Sequence, residues 1–175
     1  MLKFIPATAA VALAVVLAVA STGGAQGQGN TAQDRTIVLY EKEETTSFRF
    51  VDAKPFTRFT SNGPRRISPG DALVLGIPLF TDAALSQGAG RQRVHCVATN
   101  GSRRFTRVTY LCDGAYSFRD GTLLVSGVFK AKEGAQVIKI AVVGGTDAYE
   151  GARGSVTIND PAQGNSTQTI HLLAQ

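Results

Sequence analysis

Beyond residue 20, no stretch of this chain keeps a helical period for three turns. Apolar residues recur instead in short runs, alternating or wholly apolar, each closed by turn-forming residues. The runs are Thr36–Lys42, Ala72–Phe80, Arg93–Thr99, Val108–Phe118, Thr122–Lys130, Gln136–Val143, Gly154–Ile158 and Gln168–Leu173, with a shorter one at Phe48–Val51. Between them stand Pro69-Gly70-Asp71, Asn100-Gly101-Ser102, Asp120-Gly121, Glu133-Gly134 and Gly144-Gly145. Asp120-Gly121 is a type I′ hairpin signal. The pattern predicts an all-β fold, eight strands in an antiparallel meander that closes into a barrel or a sandwich.

The Asn100–Arg104 turn makes one register testable. A hairpin symmetric about Arg104 sets Cys96 opposite Cys112, and His95 opposite Asp113 on the other face, because side chains alternate. An even cysteine count in an exported chain predicts a disulfide, with two buried thiols as the alternative. Leu123-Leu124-Val125 and Ile140-Ala141-Val142-Val143 are apolar on both faces. One face can fill or line a lumen; the other then needs cover from loops or from a second subunit.

The N-terminus reads as a processing signal. Lys3, the apolar run Phe4–Val19 and the small residues Ala18-Val19-Ala20 predict a secretory signal peptide, residues 1–20, cleaved after Ala20. The run is short and lacks a basic stop-transfer flank, so no membrane anchor is expected, and no cysteine follows it for lipid attachment. Residues 21–34 are rich in Gly, Gln and Ser and read as a flexible leader, leaving residues 35–175 as one domain. Basic residues outnumber acidic ones, 18 to 13, but they are scattered and no aromatic residues interleave them. A solvated basic surface is therefore expected rather than a nucleic-acid partner. With only two histidines and no acidic cluster, neither a metal nor another cofactor is expected. Asn100-Gly-Ser and Asn165-Ser-Thr fit the glycosylation pattern.

Residues 141–156 carry the most specific motif. Val143-Gly144-Gly145-Thr146 leads through Tyr149 to Gly151-Ala152-Arg153-Gly154; no Lys-Ser/Thr pair and no helix follow, which speaks against a phosphate loop. The segment resembles the "GGTG-x-F-xx-ARG" of dirigent proteins and the "GG-x-G-x-FEG" of allene oxide cyclases, with Asp147 where that family has a third glycine. Leu39-Tyr40-Glu41 is similar to the cyclases' "VYE" strand. Gly70-Asp71 with Pro78-Leu79-Phe80 is similar to their "GD…LY", and Ala115-Tyr116-Ser117-Phe118 through Val125-Ser126-Gly127 to "TYSF…G-x-L-x-V-x-G". The resemblance to this allene oxide cyclase and dirigent family implies an eight-stranded antiparallel β-barrel, commonly trimeric, with a hydrophobic lumen. It implies that a small molecule bound there is steered through ring closure or coupling.

Glu41 matches the cyclases' pocket glutamate and shares a strand face with Ile37 and Leu39. A carboxylate among apolar neighbours can stabilise developing positive charge or act as a general acid or base; a solvated strand-end glutamate is the alternative. Arg153 matches the arginine of the dirigent motif and is the second candidate catalytic group, able to bind a carboxylate or phenolate. Tyr40, Glu43, Tyr110, Tyr116 and Tyr149 are candidate ligand-binding residues. Cys96 matches a pocket cysteine of the cyclases, a reading that competes with the disulfide. Glu43 and Ile77 stand where the plant cyclases place pocket asparagines, which argues against true allene oxide cyclase activity. His95 with Asp113 is an acid–base dyad only if their face is internal. The expectation is an exported barrel that directs cyclisation or stereoselective coupling of a hydrophobic small molecule. A non-catalytic, lipocalin-like carrier and a packed structural barrel are the rivals.

Overall fold

The computed structural model describes residues 33–54, 59–60, 63–64 and 66–174. The expected signal peptide, and the leader apart from its last two residues, lie outside them. Eleven strands follow in order: β1 (Arg35–Glu41), β2 (Ser47–Val51), β3 (Phe59–Thr60), β4 (Gly63–Pro64), β5 (Ala72–Phe80), β6 (Gly88–Ala98), β7 (Thr109–Phe118), β8 (Gly121–Lys130), β9 (Gln136–Asp147), β10 (Gly154–Asp160) and β11 (Ser166–Leu172). Strands β5 to β11 pair each with the next, all antiparallel, and β11 pairs with β1.

Closure comes from the other edge of β1. Tyr40 and Glu41 pair with Phe80 and Leu79 of β5, and β2 pairs with the remainder of β5 from Ser47↔Gly76 to Val51↔Ala72. β1 and β2 thus act as one strand broken at a 3-10 turn, Glu43–Thr45. The result is a closed barrel of eight strands rather than a sandwich, which removes every long unpaired edge. The small β3–β4 ribbon lies in the connection from β2 to β5.

The register through Asn100–Arg104 is the symmetric one. Cys96 pairs with Cys112 and His95 with Asp113, and the cysteines form a disulfide with Cα atoms 4.0 Å apart. Two turn expectations require correction. The β7–β8 connection is Arg119–Asp120, one residue earlier than Asp120-Gly121, and neither residue has the positive φ of a type I′ turn. Gly121 instead opens β8 at φ 149°, where a Cβ would stand 2.5 Å from the Thr146 carbonyl oxygen. Gly144 and Gly145 are not a turn either; they sit inside β9, beside a bulge opposite Leu124 and Val125. A Cβ on Gly145 would meet the Tyr149 and Thr122 carbonyl oxygens at 2.4 and 2.6 Å. The Gly therefore lets the following turn fold back onto its own strand. Asp147 has φ 56°. This is a left-handed backbone, which Asp tolerates better than most side chains.

Alternation sorts the side chains. Ile37, Leu39 and Glu41 of β1 point inward with Leu73, Ile77 and Leu79 of β5, Val156 of β10 and Ile170 of β11. One apolar cluster, including Leu39, Leu123, Val142, Tyr149, Val156 and Leu172, fills the end of the barrel where β1 begins. A second, around Cys96, Cys112, Tyr110 and Val108, lies against the opposite end of β6 and β7. Outside, Leu111, Leu124, Val128 and Val143 are exposed. Asp34, at the end of the expected leader, is tied to β11 and the chain that follows it: its Oδ1 accepts from the Ala174 amide at 2.8 Å, and its Oδ2 lies 3.4 Å from His171 Nε2.

Candidate functional site

Glu41, Gln136, Asp160 and Ser166 are strand-end residues that the antiparallel order gathers at one end of the barrel. At this end the interior is not filled. A cavity of about 260 Å³ runs inward, walled by aliphatic residues such as Leu75, Val94, Val125, Ile138, Ile140 and Ile158, with Phe48, Phe105 and Phe129 also bordering it. Phe48 is 61% exposed. The Cys96–Cys112 disulfide forms part of one wall.

Polar groups enter this apolar space in two tiers. Gln92 Nε2 donates to the Tyr116 hydroxyl at 2.9 Å, the Tyr116 hydroxyl donates to Gln168 Oε1 at 2.5 Å, and Gln168 Nε2 donates back to Gln92 Oε1 at 2.9 Å. The same Gln168 nitrogen donates to Glu41 Oε2 at 2.5 Å. Gln92, Tyr116 and Gln168 are fully buried, and Glu41 and Gln92 border the cavity. The ring locks the Gln168 amide with its nitrogen toward Glu41, so a fixed donor faces that carboxyl oxygen. Burial, reinforced by the negative charge of Glu41, raises the Tyr116 phenol well above the ordinary tyrosine value. Tyr116 therefore remains a neutral donor.

The second tier lies in the next row toward the open end. Glu41 is opposite Ser166 on β11, and Asp160 is opposite Gln136 on β9. Ser166 Oγ and Gln136 Nε2 donate to the two Asp160 carboxylate oxygens, each at 3.0 Å. Two carboxylates thus occupy inward positions two strands apart, about 10 Å between backbones at ordinary strand spacing.

Of the residues singled out from the sequence, Glu41 and Tyr116 meet in this network. Tyr40, by alternation, turns to the outer face of β1. The side chain of Glu43 lies outside the described residues. Tyr149 is buried at the far end, its hydroxyl donating to Asp120 Oδ1 at 3.2 Å and the Arg35 guanidinium 5.7 Å from its ring. Arg153 is exposed in the turn before β10, also at the far end. The length of β1 separates it from the cavity that Glu41 borders. Tyr110 is buried between Phe105 and Phe129. Its hydroxyl has no hydrogen-bond partner among the described residues, and burial with the nearby Asp71 charge pushes its pKa up to about 12. His95 and Asp113 face each other on the outside, both exposed, so they form no internal dyad.

Sequence reasoning passed over Gln92, Gln168, Gln136, Asp160 and Ser166. The first two had a signal. Gln168 shares parity with Ile170 and Leu172, and Gln92 with Val94 and Cys96, so each is an amide in an otherwise apolar inward series. A polar residue on a buried parity requires partners.

Fold and site together define a closed antiparallel barrel whose apolar lumen carries a fixed carboxylate. No family model matches the sequence, and neither does any curated protein. Solved structures do resemble the fold. Pyocyanin demethylase superposes with a TM-score of 0.60 at 16% identity, covering 79% of this chain and 100% of that one. A nonspecific heme-binding cyclase that catalyses cycloaddition during neoabyssomicin biosynthesis gives 0.53 at 15% identity, covering 81% of this chain and 67% of its own. The Diels Alderase AbmU from Streptomyces koyangensis gives 0.53 at 13% identity, covering 81% and 64%. At these identities the likeness is one of fold, shared with cyclase-type barrels.

Proposed function

We propose that this protein binds a hydrophobic small molecule in its lumen and directs its cyclisation or stereoselective coupling, with Glu41 as the group that meets the developing charge. One observation carries the reading. Glu41 borders an apolar cavity, and a buried amide that cannot turn without breaking two further hydrogen bonds aims at its carboxylate. A preorganised charge in an apolar site acts on a transition state without reorganising at the moment of reaction, and the fixed walls supply proximity and orientation. A barrel that only carried its ligand would gain little from this arrangement. The cyclase-type barrels among the structural neighbours support the choice of reaction class.

Export belongs to the same proposal, since a disulfide persists in an oxidising compartment. So does self-association, which would cover the exposed Leu111, Leu124 and Val128. Native mass spectrometry of the protein from its own host's compartment reads mature mass, oligomer and retained ligand together. With that ligand in hand, Glu41→Gln is expected to keep binding and to lose turnover at least tenfold. Unchanged turnover would remove Glu41 from the chemistry, and an empty protein indifferent to apolar ligands would return the lumen to a structural role.

A further inference from the structure

The charge of this chain, formally +5, is divided unevenly between the two ends of the barrel. The connections that follow β2, β6, β8 and β10 leave the barrel at its open end, and those that follow β5, β7 and β9 leave it at the far end. Among the described residues the open end presents Lys54, Arg103, Arg104, Arg107, Lys130 and Lys132, all exposed. Of its acidic residues, Asp52, Asp71 and Asp160 are buried or half-buried, Glu44 is paired with Lys42 at 3.2 Å, and Glu133 is exposed on a loop. At the far end the balance reverses, with Asp34, Asp82, Asp120, Asp147 and Glu150 against Arg35, Arg119 and Arg153. Exposed aromatic rings share the cationic end. Phe48 is 61% exposed and Phe105 45%, and both border the mouth of the cavity. Phe48 stands on β2, which pairs with β5 alone, past the point where β11 ends at Ser166 opposite Glu41. Phe105 opens the 3-10 turn Phe105–Arg107, with Arg103 and Arg104 before it and Arg107 after it.

We infer that the open end of the barrel docks on a membrane surface rich in anionic lipid. Phe48 and Phe105 enter the headgroup layer, and the cations around them meet the lipid phosphates. Attraction of this kind adds up over each Lys or Arg held near the surface, and apolar side chains that enter the layer add to it. A soluble polyanion would satisfy the cations and leave both rings in water, whereas a bilayer accepts the two together. The acidic far end points away from the lipid, which fixes one orientation with the cavity mouth against the bilayer. The docking surface stands on the rim residues alone and does not depend on what the lumen binds.

The test uses the protein as purified from its host and vesicles of phosphatidylcholine, alone or with equimolar phosphatidylglycerol, read by co-sedimentation. Binding to the mixed vesicles is expected to be at least about tenfold tighter than to the neutral ones, and added salt should release it. Arg104→Gln with Arg107→Gln should weaken it about tenfold. Arg91→Gln with Arg119→Gln removes the same charge from the far half of the barrel and should leave binding within about twofold of wild type. The chain has no tryptophan, so Phe48→Trp, Phe105→Trp and, at the far end, Thr81→Trp each place a single reporter. Emission of the first two should move to the blue on the mixed vesicles, and that of the third should stay. Absence of binding to the mixed vesicles, equal losses in the two arginine pairs, or unmoved emission at Phe48 and Phe105 overturns the inference. Binding to heparin with none to the mixed vesicles also overturns it and makes a soluble polyanion the partner.

Discussion

Gln168 is the keystone of the buried network, and its replacement by leucine has a cost that follows from the geometry. The residue is fully buried. Leucine approximates its volume but removes two donated hydrogen bonds and one accepted one. The Tyr116 hydroxyl is left without its acceptor, Gln92 Oε1 without its donor, and Glu41 with one donor fewer. Each buried orphan costs about 1–3 kcal/mol, and the apolar surface that leucine adds recovers part of this. The net expected loss is about 3 kcal/mol, or roughly 6–12 °C in Tm for a chain of this size. Urea unfolding followed by far-ultraviolet circular dichroism reads the loss as a lower midpoint at unchanged m. Tyr116→Phe orphans the other end of the same ring, Gln168 Oε1 and Gln92 Nε2. Because the two changes break shared bonds, the double variant should lose about 1–2 kcal/mol less than the sum of the singles. A Gln168→Leu protein within about 0.5 kcal/mol of wild type, or strict additivity with Tyr116→Phe, would show that the ring is not a coupled unit.

Replacing Cys96 and Cys112 by serine, which opens a crosslink spanning 16 residues, should cost about 3 kcal/mol by the same unfolding measurement. The neighbouring glycines of β9 should separate sharply. Gly145→Ala drives a Cβ into two carbonyl oxygens and should lose about 3 kcal/mol, whereas Gly144→Ala, with open space around it, should sit within about 0.5 kcal/mol of wild type in thermal unfolding. Asp147→Gly should raise Tm slightly, because its left-handed φ of 56° favours glycine. The tyrosines set an alkaline limit. Tyr110, raised from 10 to about 12 by burial and then by Asp71, favours the folded state fully below about pH 10, and that contribution is lost as the pH rises through about 12. Tyr116 and Tyr149 act in the same direction. Tyrosinate absorbance should lag in the native protein and rise with unfolding, and Tyr110→Phe should move that unfolding to higher pH; an ordinary titration of all four tyrosines in the folded state would contradict the burial argument.

Much of the barrel was legible because strand periodicity is a local property. Alternation set Glu41 on one strand face with Ile37 and Leu39, and a hairpin symmetric about Arg104 implied both the Cys96–Cys112 and the His95–Asp113 pairs, since a two-residue period leaves no freedom once one pair is set. Where local reading failed, distant backbone intervened. The Asp120-Gly121 and Gly144-Gly145 signals were displaced because Gly121 and Gly145 answer to close contacts with the Thr146, Thr122 and Tyr149 carbonyls, which no turn rule contains.

The amino-acid pattern therefore settled the all-β class of fold and which residues of a strand share a face, but left open which of the two faces is the inner one. Closure of the ring through Tyr40↔Phe80 and Glu41↔Leu79 was the tertiary structure's decision, and with it the site. Gln92, Tyr116, Gln168 and Glu41 come from four strands and are up to 127 residues apart in sequence. Their meeting depends on which strands become neighbours across a lumen, and alternation along any one strand carries no information about that. The same holds for Arg153, which belongs to the Gly-rich segment singled out from the sequence yet stands at the opposite end of the barrel from the carboxylate.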